Sequence, residues 1–233
     1  ALSVATEIVD DAGAVAATGI APLSIAASRS ETARHRLAVT SPKRWSVEQP
    51  TLYTCRTRVL AGSHVVDTAD ATFGVRSLAL DAERGLRVNG EPVVLRGACV
   101  HHDNGIIGAA TIARAEERRV ELLKAAGFNA LRSAHHPMSK AMLDACDRVG
   151  MLVMDEAFDM WATAKTRSDY ARWFPDWWKR DVDAMVRKDV NHPSVILYSI
   201  GNEIPDVGTP TAASQGRAIA EAIRSLDDTR FVT

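Results

Sequence analysis

The sequence predicts two domains of different class: a small antiparallel β-sandwich over residues 1–82, then the first half of an eight-stranded β/α barrel over residues 83–233. Three observations predict it. Short alternating or β-branched runs separated by turn residues fill the first part. The hydrophobic period then lengthens, and strand-like runs begin to alternate with helical ones. In this second part each strand-like run ends in a polar cluster.

The strand candidates of the first part are Ser3 to Val9, His35 to Val39, Tyr53 to Leu60, His64 to Thr68 and Ala71 to Val75, with turns at Asp10-Asp11-Ala12-Gly13 and Ala61-Gly62-Ser63. The first run starts almost at residue 1, so the sandwich is expected to lack strands at its beginning. Asn89-Gly90, between Leu86 to Val88 and Val93 to Leu95, is the strongest hairpin signal, because both residues tolerate the positive φ of a type I′ turn.

After the hairpin, Val94 to Arg96 reads as a strand. A helix follows from Arg114 to Ala126, with Gly127 as its stop. Phe128 to Ser133 leads into a helix opening at Ser139 and closing at Gly150, with Met142, Ala145 and Val149 on one face. Met151 to Met154 precedes a helix over Asp176 to Val190. The apolar run Val195 to Ile200 suits a parallel strand covered on both faces, and a last helix over Ala212 to Leu226 leads to Phe231-Val232-Thr233.

A doubly wound sheet fits the same alternation. It would gather ligand contacts at one switch point, whereas a barrel gathers them from the end of every strand. Here the polar clusters His101-His102-Asp103, Arg132 to His136, Asp155-Glu156 to Asp159 and Asn202-Glu203 each follow a strand candidate. No Gly-rich phosphate loop follows any strand, so the barrel is preferred.

Composition narrows the function. A formal net charge of -1, from 28 Lys+Arg against 29 Asp+Glu, leaves no excess of positive charge for nucleic acid or an anionic membrane surface. No stretch approaches the roughly 20 apolar residues of a membrane span, and the N-terminus carries no signal pattern. Cys55, Cys99 and Cys146 lie far apart in no metal-ligand spacing and read as small buried hydrophobes in a reducing compartment, so a cytoplasmic location is expected. Glu203 stands where a buried strand opens into a loop. A half-buried carboxyl there can donate a proton to a leaving oxygen, although an isolated Asn-Glu pair is more often a capping or ion-paired glutamate.

Taken together, Trp45-Ser46-Val47-Glu48-Gln49-Pro50 with Leu52-Tyr53, Phe73-Gly74-Val75-Arg76, Asn89-Gly90 with Leu95-Arg96-Gly97, His101, Leu131-Arg132-Ser133-Ala134-His135, Asp155-Glu156-Ala157 and Gly201-Asn202-Glu203 resemble glycoside hydrolase family 2 over nearly the whole chain. The run Asp155 to Trp161, with Trp177-Trp178 and Asn191-His192-Pro193-Ser194, is most similar to bacterial β-galactosidases.

The resemblance implies an immunoglobulin-like sandwich joined to a TIM-barrel half, and retaining hydrolysis of β-glycosides, terminal β-galactosides first. It makes Glu203 the general acid/base and Asn202 the partner of the sugar 2-hydroxyl. His101 and His135 would line the sugar subsite, and Arg132 would lie beside the nucleophile, unless it simply pairs with Glu156 inside the barrel. Asp159 and Trp161 would line the pocket, the indole offering a flat face to the sugar. Trp173, Trp177 and Trp178 are read as core and helix-packing residues.

Magnesium-dependent relatives hold their ion with a carboxylate and a histidine just after the Asp-Glu-Ala segment. Asp159 and Trp161 stand there, so no metal and no other cofactor is expected. The family's nucleophile is a glutamate on the seventh barrel strand, so this chain is expected to lack it and to be inactive alone. Its partners are then a carbohydrate substrate and, through exposed half-barrel edges, a second copy. The competing reading is a non-catalytic carbohydrate-binding or scaffold module derived from a glycosidase.

Overall fold

A computed structural model describes residues 1–34 and 36–233. The chain divides into two compact units, one of residues 1–45 and 51–75, the other of residues 46–50 and 76–233. The division falls at Val75/Arg76, ahead of the 82/83 boundary expected from the hairpin.

The first unit is built on a four-stranded antiparallel sheet of β1 (Leu2–Val9), β2 (Val15–Leu23), β3 (Tyr53–Ala61) and β4 (His64–Phe73), ordered β2-β1-β3-β4. β2 was not expected. Its Ala, Thr and Gly residues give a weak strand signal, and the pairing to β1 supplies what the propensity does not. The expected strand over His35–Val39 falls partly on His35, outside the described residues, and 36–39 form no strand. The two runs at His64–Thr68 and Ala71–Val75 prove to be one continuous strand. Ile8, Val9, Trp45 and Tyr53 are the buried core of this unit, and Tyr53 stacks on Phe73 with centroids 5.8 Å apart.

The second unit opens with a small antiparallel sheet of β5 (Leu78–Asp81), β6 (Gly85–Val88) and β7 (Glu91–Pro92). Asn89 and Gly90 link β6 to β7 with φ values of 57° and 93°, as a type I′ turn demands. Then β8 (Gly97–His101), α1 (Ala113–Ala125), β9 (Ala130–Ala134), α2 (Lys140–Val149), β10 (Leu152–Glu156), α3 (Phe174–Asp189), β11 (Val195–Ser199), α4 (Pro210–Leu226) and β12 (Phe231–Val232) alternate. The first barrel strand begins at Gly97, after the expected Val94–Arg96.

The five strands are parallel and lie in strictly sequential order, β12-β11-β10-β9-β8. A doubly wound sheet reverses its order at a switch point and this one does not, which is the topology of a barrel portion. Helix ends follow the expected rules. Ser139 caps α2 by accepting the Met142 N–H at 3.1 Å, and Gly150 ends it with φ 77°. A Cβ on Gly150 would lie 2.3 Å from the Val47 carbonyl oxygen, so that position admits only glycine. The core runs between sheet and helices through Val120, Leu131, Met142, Leu143, Val153, Phe174, Val182, Met185, Tyr198, Ile219 and Ile223.

Candidate active site

The polar residues that follow β8, β9, β10 and β11 come together at the C-terminal ends of the strands. Their hub is Glu156, the last residue of β10, fully buried. Its Oε2 accepts from Arg132 Nε at 3.0 Å, Arg132 Nη2 at 2.7 Å and Ser199 Oγ at 2.7 Å, and its Oε1 lies 2.8 Å from His135 Nδ1. A buried carboxylate so completely bonded is a fixed anion around which the neighbours are oriented. Arg132 is thus paired with Glu156, the alternative foreseen for it. Its Nη2 also donates to Asn202 Oδ1 at 2.9 Å. His135 follows a cis Ala134–His135 peptide, and its ring meets that of His101 edge-on, with centroids 5.1 Å apart.

From Arg132 the network continues through the Asn202 amide. Asn202, 7% exposed, donates from Nδ2 to Asp159 Oδ1 at 2.9 Å, and its backbone N–H bonds Phe158 O at 2.9 Å. Asp159 also accepts from Lys165 Nζ at 2.8 Å. Partial burial, the largest influence on the Asp159 carboxyl, pushes its proton affinity up. The hydrogen bonds from Lys165 and Asn202 outweigh it and hold the pKa below the ordinary 3.8.

Glu203 lies at the end of this chain of bonds with φ 44°, in the left-handed region. Among the described residues its carboxylate makes no hydrogen bond or ion pair, and it is exposed. The half-buried setting expected for it is therefore not supplied by these residues. Glu203 lines a cavity of about 370 Å³ with Trp161, Ile200, Gly201, Ile204, Val207 and Thr233.

Trp161 is closely held. It is 6% exposed, and its Nε1 donates to Ile200 O at 2.7 Å. Cβ atoms on Gly201 and Gly216 would stand 2.9 and 3.0 Å from its ring. The indole is packed against Gly216 of α4 and the residues that follow β11, and what remains open of it lines the cavity with Glu203.

Trp173 and Trp177, read as packing residues, are 53% and 42% exposed, with Arg172 and Arg180 stacked over their rings. Only Trp178 of the three is buried. The cysteines differ too, for all are free, but Cys146 alone is buried and Cys99 is exposed. Sequence reasoning missed Lys165. It sits in a polar loop with no periodicity, and only the return of that loop to β11 reveals it.

Among the described residues, one group brings metal-type ligand atoms within 4.8 Å of one another: Asp144, Asp147 and His192. Its atoms are already engaged. Asp147 takes His192 Nδ1 at 2.6 Å and Ser194 N at 3.0 Å, and Lys140 holds both Asp144 oxygens at 2.8 Å.

A buried carboxylate, an oriented amide and an unbonded carboxylate lie together at the C-terminal mouth of a parallel β/α sheet, the end at which barrel enzymes place their sites. The particular class follows from relatives. The model described as glycosyl hydrolases family 2, TIM barrel domain, matches residues 81–233, and that of glycosyl hydrolases family 2 matches residues 1–76. The chain belongs to glycosyl hydrolases family 2.

It is 44% identical over 169 residues to β-galactosidase BoGH2A of Bacteroides ovatus, a match covering 72% of this chain and 20% of that protein. It is 38% identical over 199 residues to a putative β-glucuronidase of Formosa agariphila, covering 85% of this chain and 18% of that protein. The crystal structure of a family 2 member from Bacteroides cellulosilyticus superposes with a TM-score of 0.95 at 44% identity, over 99% of this chain and 30% of that one. The chain thus spans less than a third of the length of each of these relatives.

Proposed function

We propose that the protein carrying this chain hydrolyses β-glycosidic bonds with retention of configuration, terminal β-galactosides first, with Glu203 as general acid/base. The observation that carries the reading is Glu203 itself. It is a carboxylate with no bonded partner among the described residues, on a backbone held in the left-handed region, beside an asparagine oriented by Arg132 and Asp159. A carboxyl with that freedom can give its proton to a departing oxygen and take one back from water. Asn202 would bond the sugar 2-hydroxyl, and His101 and His135 would line the subsite beside it. Arg132 and Asp159 would act by orienting Asn202.

Retention needs a second carboxyl about 5–5.5 Å from the first. Glu156 is spent on Arg132, His135 and Ser199, and Asp159 on Lys165 and Asn202. The nucleophile is therefore assigned to a residue outside this chain, and these residues alone are expected to be inactive. The galactoside preference rests on the relative named β-galactosidase, and the relative named β-glucuronidase supplies the competitor.

A panel of p-nitrophenyl β-glycosides (galactoside, glucuronide, mannoside, glucoside) tests this on the natural full-length protein and its Glu203→Gln variant. Turnover of one sugar that falls by about 10²–10⁴ in the variant is the expected result. An unchanged rate would reject the assignment of Glu203, and weak sugar binding with no turnover would favour a carbohydrate-binding module.

A further inference from the structure

The turn that carries Glu203 is gripped from outside by a single loop. That loop leaves β10 after Glu156 and enters α3 at Phe174, and two of its side chains reach back to the end of β11. Trp161 Nε1 donates to the carbonyl of Ile200 at 2.7 Å. Lys165 Nζ donates to the carbonyl of Asn202 at 2.8 Å and to Asp159 Oδ1 at 2.8 Å. The two carbonyls flank Gly201, which is packed so closely that an added Cβ would meet Ile204 Cδ1 at 2.7 Å and Trp161 Nε1 at 2.9 Å.

The bond from Lys165 bears directly on the orientation of Glu203. The Asn202 carbonyl and the Glu203 nitrogen belong to one rigid peptide plane, so fixing the oxygen fixes the axis about which Glu203 takes its φ of 44°. A residue with a Cβ stays in that region only where its surroundings hold it. Asn202 is fixed at its other end by the Phe158 carbonyl.

Lys165 is itself held. Asp169 accepts the Lys165 and Thr166 backbone N–H groups at 2.7 Å each and the Ala171 N–H at 3.0 Å, closing the loop into a bracket. The lysine side chain is only 20% exposed and bonded to two oxygens, so its position is well defined.

We propose that Lys165 is a positioning residue for the general acid/base, setting the direction of Glu203 through the Asn202–Glu203 peptide and locking Asp159 onto the Asn202 amide. This rests on the reading of Glu203 as the acid/base. Lys165 touches no reacting atom in this role. Its removal would misdirect proton donation, while Arg132 would still hold the Asn202 side chain by its Oδ1.

The test uses the natural full-length protein and kcat/KM, which reports the steps up to departure of the aglycone. Two aryl glycosides of the sugar found above are compared: a dinitrophenyl glycoside, whose leaving group departs without a proton, and a phenyl glycoside, which needs one. Lys165→Met is expected to lower kcat/KM on the phenyl glycoside by about 10- to 100-fold, the scale of a misplaced catalytic group. On the dinitrophenyl glycoside the loss is expected to stay within about threefold, as for chemistry that needs no acid. Lys165→Arg, which keeps a cation within reach of both oxygens, should recover part of the loss.

A loop that merely supports the fold or the subsite would lower both substrates alike, so an equal loss, or none, overturns the proposal. Should Lys165→Met not accumulate as folded protein, Asp169→Ala loosens the same bracket from outside and must give the same selective loss. Glu203→Gln is measured beside them. If it discriminates between the leaving groups and the Lys165 variants do not, this inference alone fails; if it does not discriminate, the acid/base reading fails first.

Discussion

At the N-terminal end of β11, Arg230 gives its N–H groups mostly to the main chain. Nε bonds Val195 O at 2.9 Å, Nη2 bonds the carbonyls of Asp189, Val190 and His192 at 3.2, 3.1 and 2.8 Å, and Nη1 meets Asp227 Oδ2 at 2.5 Å. Arg76 does likewise, bonding Pro193 O and Val195 O at 2.6 Å each. Burial pulls its guanidinium down to about 10, still far above neutrality, with the nearby charge of Arg230 pulling the same way. Toward the C-terminal ends of the strands, Arg132 of β9 bonds side chains only: Glu156 of β10, Asn202 after β11 and, at 3.6 Å, Cys99 Sγ of β8.

The two ends use the same residue types for different ends. Arginines that satisfy carbonyls fix the backbone. Arginine that satisfies carboxylate and amide side chains orients a network whose last member, Glu203, has no bond of its own.

Removing Arg230 should therefore have the largest effect on stability. Arg230→Met would break the buried ion pair with Asp227 and leave the Val190 carbonyl without its donor, while the Asp189, His192 and Val195 carbonyls keep one other donor each; a loss of roughly 3–5 kcal/mol is expected from breaking such a pair. Denaturant unfolding of the full-length protein measures it. Gly150→Ala, at the same end of the sheet, comes next. A Cβ at φ 77° facing the Val47 carbonyl should cost about 2–4 kcal/mol. Glu203→Gln sharpens the contrast from the other side. An exposed, unbonded carboxylate should change stability by less than about 0.5 kcal/mol while activity collapses. If it destabilises as Arg230→Met does, the distinction between the two ends is lost.

The same contrast explains what could be read in the sequence. Strand and helix alternation in the second unit was legible because buried parallel strands and amphipathic helices carry strong periods, and Ser139, Gly127 and Gly150 mark helix ends by local rules. Strand-end clusters were legible because chain order in a barrel is also spatial order.

What escaped depended on long-range return of the chain. β2 has little strand propensity and is made by its partner β1. The close packing of Trp161 is visible only when α4 comes to lie against it through Gly216. Lys165 has no pattern at all, and its role is visible only when its loop meets the Asn202 carbonyl. The Phe73-Gly74-Val75-Arg76 run carried the resemblance to the family, yet only the structure gives Arg76 its task on the backbone before β11.

The smallest expected effect concerns the rim of the mouth. Asp159 has a folded-state pKa below its ordinary 3.8, so the folded protein gains from its ionised form. Any stability this contributes is fully present above pH 3.8 and is lost as the pH falls through the lower, folded value. The Asp159 side chain is 39% exposed, so solvent screening keeps the contribution small. An Asp159→Asn variant cannot ionise, and its thermal stability should trail that of the unsubstituted protein at neutral pH and converge with it in acid. A gap that stays constant across that range would mean the carboxylate's charge is irrelevant. The side chain would then act only as a spacer between Lys165 and Asn202, and the electrostatic part of the contrast between the two ends would fall.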